Sequence, residues 1–182
     1  VNHVATNATR ILVEGSAGGS ATIGGATVSG PFVALLDTAG SALWSVSYGP
    51  SVGLVAVALD GSGNAYVTGR FDSVLDLGGT VLTTVGGNDE FVVSYAPGGA
   101  VRWARSCGST SNDDGGVLAI DEARGRVYVA GQSGLTDIDL GGGVRPAFGA
   151  PYSGFIVALE STPGAYDDAW VSTLGGSMPL VR

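Results

Sequence analysis

Val55-Ala56-Val57-Ala58-Leu59-Asp60-Gly61-Ser62-Gly63-Asn64-Ala65-Tyr66-Val67-Thr68-Gly69 is the stretch whose reading decides the fold. Two apolar runs flank a turn of Asp, Gly and Asn, residues that accept the positive φ a tight hairpin requires. The second run closes on Val-x-Gly. The same arrangement occurs at Val13-Glu14-Gly15 and Val129-Ala130-Gly131. After each Val-x-Gly comes a Gly-Gly segment, then an apolar run led by Phe32, Phe91 or Phe155. A turn and a run containing Trp44, Trp103 or Trp170 follow. The tryptophans are 59 and then 67 residues apart, so the length variation falls in loops. Repeats of this length point to an array or a propeller.

Three units follow, over approximately residues 1–53, 54–115 and 116–182, within a single domain. Each is expected to hold four strands. The runs are four to seven residues long and rich in Val, Ile, Tyr and Phe, which suits strands, and helical periodicity is absent. Phe155-Ile156-Val157-Ala158-Leu159 is apolar on both faces, as expected for a strand sandwiched between neighbouring sheets. Four-stranded antiparallel sheets that cover one another radially define an all-β propeller, here three blades of a half or partial propeller. A sandwich leaves the threefold repeat unexplained, and a solenoid uses shorter repeats. The recurring Trp and Phe residues read as the structural core of the repeat.

Asp60 to Gly69, then Asp89-Glu90-Phe91-Val92-Val93, then Trp103-Ala104-Arg105-Ser106-Cys107-Gly108 resemble the bacterial SBBP-type β-propeller repeat. Gly154-Phe155-Ile156-Val157-Ala158-Leu159 and Trp170-Val171-Ser172-Thr173-Leu174-Gly175-Gly176 resemble it too, while the first unit is more divergent, with Thr6 where the others carry Asp60 and Asp121. The family occurs mostly in large secreted or surface proteins of bacteria. The resemblance therefore implies an extracellular or cell-surface setting and no enzymatic activity.

Three blades are fewer than the four to eight of typical propellers. Both end faces are expected to be bare. If several hundred Å² of apolar surface is exposed on each, the loss at roughly 25 cal/mol per Å² is on the order of 10 kcal/mol per face, comparable to the stability of a whole domain. Three solutions are open: a fragment of a longer propeller, two copies closing a six-bladed ring, or an open stack. In each, the partner is another copy or the remainder of a longer chain.

The charge of −8, with 8 Arg, no Lys and 16 acidic residues, argues against a nucleic-acid partner. No run reaches the roughly 18 apolar residues of a membrane span. Cys107 is the single cysteine, so no intramolecular disulfide forms, and it reads as a small apolar residue. His3 is the single histidine and reads as structural; histidine-bearing triads and zinc sites would all need it. The sequon Asn7-Ala8-Thr9 matters only in a glycosylating host. No catalytic residue and no cofactor is assigned.

The remaining candidates are acidic and aromatic. Asn112-Asp113-Asp114 is expected in the loop joining the second and third units, and Asn88-Asp89 just before a third strand. Asp72, Asp76, Asp137 and Asp139 are expected in the excursions between second and third strands. In a propeller these loops emerge at one face. Asp113, Asp114, Asp137 and Asp139 are calcium candidates, since Ca²⁺ takes six to eight oxygens. Tyr152 and Tyr166 break the repeat and, with Asn88, Asp89 and Asn112, are the binding candidates. The function expected is a non-enzymatic scaffold that associates through blade faces and binds through loops. The alternative is a carbohydrate-binding module, and a glycan-active hydrolase ranks third.

Overall fold

The structure is a computed structural model and describes residues 1–134, 137–139, 143–145, 153–162 and 172–174. The fold is all-β, with antiparallel sheets built from strands consecutive in the chain. The first sheet pairs β1 (His3–Thr6), β2 (Arg10–Ile23), β3 (Ala26–Asp37) and β4 (Ala42–Ser47) in sequence order. The second pairs β5 (Val52–Leu59), β6 (Ala65–Phe71), β9 (Asp89–Tyr95) and β10 (Val101–Ser109), with the hairpin β7 (Val74–Asp76) and β8 (Val81–Thr83) set apart. The third pairs β11 (Asp113–Asp121), β12 (Arg126–Ser133), β15 (Ser153–Glu160) and β16 (Ser172–Leu174). A hairpin of β13 (Ile138–Asp139) and β14 (Val144–Arg145) leaves the third unit and joins the outer edge of β10. Strands β5 and β11 begin earlier than the apolar pattern implied, at Val52 and Asp113. No strand pairing links the first sheet to the third among the described residues.

The Val-x-Gly signature has a packing cause. Strand pairing sets Gly15 opposite Phe32, Gly69 opposite Phe91 and Gly131 opposite Phe155. A Cβ on these glycines would lie 3.0, 3.0 and 2.7 Å from the paired ring. The phenylalanine therefore fills the volume that the glycine leaves, an aromatic filling of a glycine site in a strand. Valine and phenylalanine share one side of each sheet, here called the back face. Leu12, Tyr66 and Tyr128 lie on the opposite, front face.

Front faces meet back faces. Leu12, Val33, Leu35 and Tyr48 of the first sheet pack with Val67, Phe91, Val93 and Tyr95 of the second. Tyr66, Val92, Trp103 and Cys107 of the second pack with Val127, Val129, Phe155, Val157 and Leu159 of the third. Phe91, Val92 and Val93 are all at most 1% exposed, which accounts for a strand apolar on both sides.

The expectation of two bare end faces fails at the first sheet. Its second-to-third-strand excursion runs on as the long ribbon of β2 and β3, which folds back at Gly30-Pro31. Gly30 has φ +57° and the turn glycine Gly24 φ +55°, a region that disfavours other residues. The ribbon tip then reaches the far end of the same sheet, where the Ala42 amide donates to Gly24 O at 2.8 Å. Ala17, Ile23 and Val28 of this arm pack on Val13, Phe32, Ala34 and Leu36 of the back face. Burying the four larger side chains Val13, Val28, Phe32 and Leu36 contributes about 6–12 kcal/mol at about 1.5–3 kcal/mol each. That is comparable to the net stability of a domain, about 5–15 kcal/mol, so the arm is part of the fold.

Candidate functional site

The junction between the second and third sheets gathers most of the acidic candidates. Three loops meet at its rim. Gly87 N donates to Ser111 O at 3.0 Å, Asp113 N to Asn88 O at 2.7 Å and Gly134 N to Asn112 O at 3.1 Å. The Asn88 amide donates to Asn112 Oδ1 at 3.1 Å. Asn88 and Asn112 are therefore brought together, as strand alternation implied, and they hold loops to one another.

Asp113 and Asp114 are not loop residues. Both open β11, and Asp113 is fully buried. Its carboxylate accepts the Ser109 amide at 2.6 Å and the Ser109 hydroxyl at 2.8 Å, a local pairing that replaces a ladder bond. Asp89 likewise opens β9 and is 1% exposed. It accepts the Val85 amide at 2.9 Å, while its Oδ1 has no hydrogen-bond partner. Burial holds its carboxyl above the usual carboxylate range, and the Asp113 charge adds to that. Asp114 is half-buried and pairs with Arg70 at 2.8 Å. Asp137 and Asp139 are exposed. Among the described residues no three His, Cys, Asp or Glu side chains come together to hold a metal ion. Tyr152, Tyr166 and Trp170 lie outside the described residues.

Glu90 was not singled out in the sequence, yet it is the most perturbed acid. It faces the third sheet from a fully buried position. A Cβ on Gly115 would lie 2.5 Å from its Oε1 and one on Gly131 3.1 Å from its Oε2, so both glycines make room for it. Its pKa is raised from 4.5 to about 8, by burial first and by the charges of Asp113 and Asp114, against the Thr68 bond that lowers it. Keeping an ordinary glutamic acid protonated at pH 7 costs about 3–4 kcal/mol. Burying its unpaired charge costs more, so the neutral acid is the resident form. Thr68 Oγ1 lies 2.9 Å from both Glu90 Oε1 and Phe91 O. The Thr68 hydroxyl is the donor, shared between Glu90 Oε1 and the Phe91 carbonyl. The clue in the sequence was position: Glu90 stands where the other units have Pro31 and Gly154, and Thr68 where they have Glu14 and Ala130. Glu14 has the same setting in the first junction, 1% exposed, with His3 Nδ1 at 2.8 Å and Asn2 Nδ2 at 3.3 Å. The structural reading of His3 thus has its partner.

Ser109 and Asp113 form a hydroxyl–carboxylate pair at 2% and 0% exposure. Gly49-Pro50-Ser51-Val52-Gly53 spells a G-x-S-x-G motif. It joins β4 to β5, strand to strand, whereas a nucleophile elbow needs a strand–turn–helix.

The recurring tryptophans join the sheets. Trp44 Nε1 donates to Pro97 O at 3.2 Å, and Trp103 Nε1 to Ser161 O at 3.0 Å. Each acceptor lies just after the third strand of the following unit. The first turns are linked in the same sense: Asn7 Nδ2 donates to Asp60 O at 2.8 Å, and Gly61 N to Glu122 Oε1 at 3.0 Å. The amide of the sequon asparagine is thus engaged in this contact. Two clefts flank the junctions. One of about 570 Å³ lies between the first two sheets, lined by Tyr48, Tyr95, Asp76 and Thr80 among others. One of about 290 Å³ lies between the turns of the second and third, where Arg102 bonds Tyr66, Ser94 and Thr162.

Neither a protein-family model nor a curated protein matches this chain.

Proposed function

We propose that the chain is a non-enzymatic β-propeller-type scaffold of a bacterial extracellular or cell-surface protein. It associates through a sheet face and binds other molecules through its loops. The observation that supports this most directly is the repetition of one junction: the same tryptophan donor, a turn-to-turn bond in the same sense and the same front-to-back apolar contact join successive units. Units that stack by a fixed set of contacts are the elements of propellers and of open arrays. The SBBP-type resemblance supplies the blade reading and the surface setting. The scaffold takes no cofactor, and calcium on the acidic loops is tested by EDTA, which is expected to leave the melting temperature unchanged. Small-angle scattering together with light scattering tests the architecture. A wedge of radially arranged sheets supports the propeller, and an extended or sandwich-like profile refutes it.

A carbohydrate-binding module is the second reading. The cleft between the first two sheets favours it, because Asp76 and Thr80 stand in its lining as polar side chains. A glycan array with the wild type, Asp76→Ala and Tyr152→Ala decides the matter. Binding lost in either variant supports the lectin reading, and no binding by the wild type removes it.

A further inference from the structure

The second-to-third-strand excursion lies on the back side of its own sheet in all three units, but it meets different surfaces there. In the second unit it places Leu75 and Leu77 in the junction with the first sheet. In the third, Ile138 enters the junction with the second sheet while β13 pairs with β10. In the first unit the arm lies on the sheet's own back face and buries Val13, Phe32, Ala34 and Leu36. Its outward residues are Gly, Ser, Ala and Thr, and residues 16–36 hold no charged side chain. At the other end, the front face of the third sheet carries Val117, which is 62% exposed, with Tyr128, Ala130 and Ile156 half-buried. Their counterparts Leu12 and Val33, and Tyr66 and Val92, are at most 1% exposed, because a following sheet covers them.

Resting on the scaffold reading, we infer that the arm is an end cap. It takes on the first sheet the place that a preceding sheet takes on the second and third. Association is therefore one-ended: the front face of the third sheet receives the uncapped back face of a further sheet of this same repeat. The occupant follows from the two junctions already built, in which the same front face accepts a Val-x-Gly and Phe back face. A second wild-type copy cannot supply that face from its first sheet while its arm is down. The six-bladed ring and the open stack of unmodified chains are both blocked by this contact.

The test compares full chains by light scattering. Replacing residues 18–29 with Gly-Gly leaves Ala17 and Gly30 paired across a two-residue turn. This armless chain is expected to form head-to-tail oligomers whose mass grows with concentration, and adding Ile156→Glu is expected to stop the growth. The wild type is expected to show no such growth. Mixed with armless Ile156→Glu chain, it should give a complex of twice the chain mass, front face on bared back face. An armless chain that keeps its near-ultraviolet circular dichroism and stays at the wild-type mass overturns the cap. If the armless chain does not fold, Gly24→Val lifts only the tip, since its Cβ would meet Gly40 O at 2.5 Å and Ala42 N at 2.6 Å. Fast exchange of the Ala42 amide without self-association then overturns the proposal, as does an Ala42 amide that stays protected. Wild type that polymerises by itself removes the cap but leaves the scaffold reading standing. No association in any variant or mixture removes both.

Discussion

The two junctions between sheets share one geometry and differ in chemistry. The first is mainly aromatic, with Glu14 as its buried acid. Trp44 lies 5.4 Å from the Tyr95 ring, Phe91 lies 6.2 Å from Tyr48 and 6.1 Å from Phe71, and the two tyrosine hydroxyls share a bond of 2.7 Å. The second keeps its apolar centre but adds Glu90, Asp89 and Asp113, all buried. Both junctions therefore hold a buried acid, in different settings: Glu14 of the first has His3 at 2.8 Å, whereas Glu90 of the second has Thr68 on one oxygen and no hydrogen-bond partner on the other. One repeat thus carries two chemistries, by changing the residues beside Phe91 and Gly69 and leaving the framework alone.

The largest expected effect breaks the shared framework. Phe91→Ala empties a site that is fully buried and filled against Gly69. It is expected to cost about 3–5 kcal/mol in urea unfolding, and Phe155→Ala about as much in the second junction. A cost well under 1 kcal/mol would show that the glycine–phenylalanine pairing is not what holds the sheets.

The next effect separates the junctions. The folded pKa of Glu90 lies above its unfolded value, so the stability that its neutral form contributes is complete below pH 4.5 and is lost as pH rises through about 8. Glu90→Gln keeps a neutral acceptor for Thr68 and is expected to flatten that decline in the melting temperature. By hydrogen exchange the amides of Val127 and Val157 should lose protection on the alkaline side before those of Val33 and Val67. Burial holds the Tyr95 phenol up at about 12 and that of Tyr48 well above its ordinary value, so the first junction is expected to hold until higher pH. Equal loss in both junctions would remove the contrast.

Smaller effects sharpen it. Tyr48→Phe strands the buried Tyr95 hydroxyl and is expected to cost about 1–2 kcal/mol. Trp44→Phe and Trp103→Phe each remove one indole bond across a junction and are expected to cost about 1 kcal/mol apiece. Arg70→Ala removes a solvent-exposed ion pair with Asp114, and less than about 1 kcal/mol is expected, falling with salt.

Much of the fold was legible. The turn residues and apolar runs gave an all-β chain of antiparallel sheets, because strand pairing and alternation are local rules. The acidic candidates were less legible. Asp89, Asp113 and Asp114 read as loop residues because acids usually face water. Here the strands begin at Asp89 and Asp113, and loop amides and the Ser109 hydroxyl satisfy the carboxylates. Glu90 was invisible as a buried acid because nothing in its immediate neighbours announces that Gly115 and Gly131, 25 and 41 residues onward, vacate the space it needs.

Sequence alone determined the antiparallel sheets and their threefold recurrence, since apolar periodicity and turn residues act over a few positions. Tertiary structure alone decided what lies on each face. Three excursions of similar composition, carrying Thr22-Ile23-Gly24-Gly25, Asp76-Leu77-Gly78-Gly79 and Asp139-Leu140-Gly141-Gly142, share a place in the repeat. The first folds onto its own sheet, and the others meet the sheet before them. Burial of a ribbon depends on which apolar surface is still uncovered when it arrives, and that is a property of the assembled molecule.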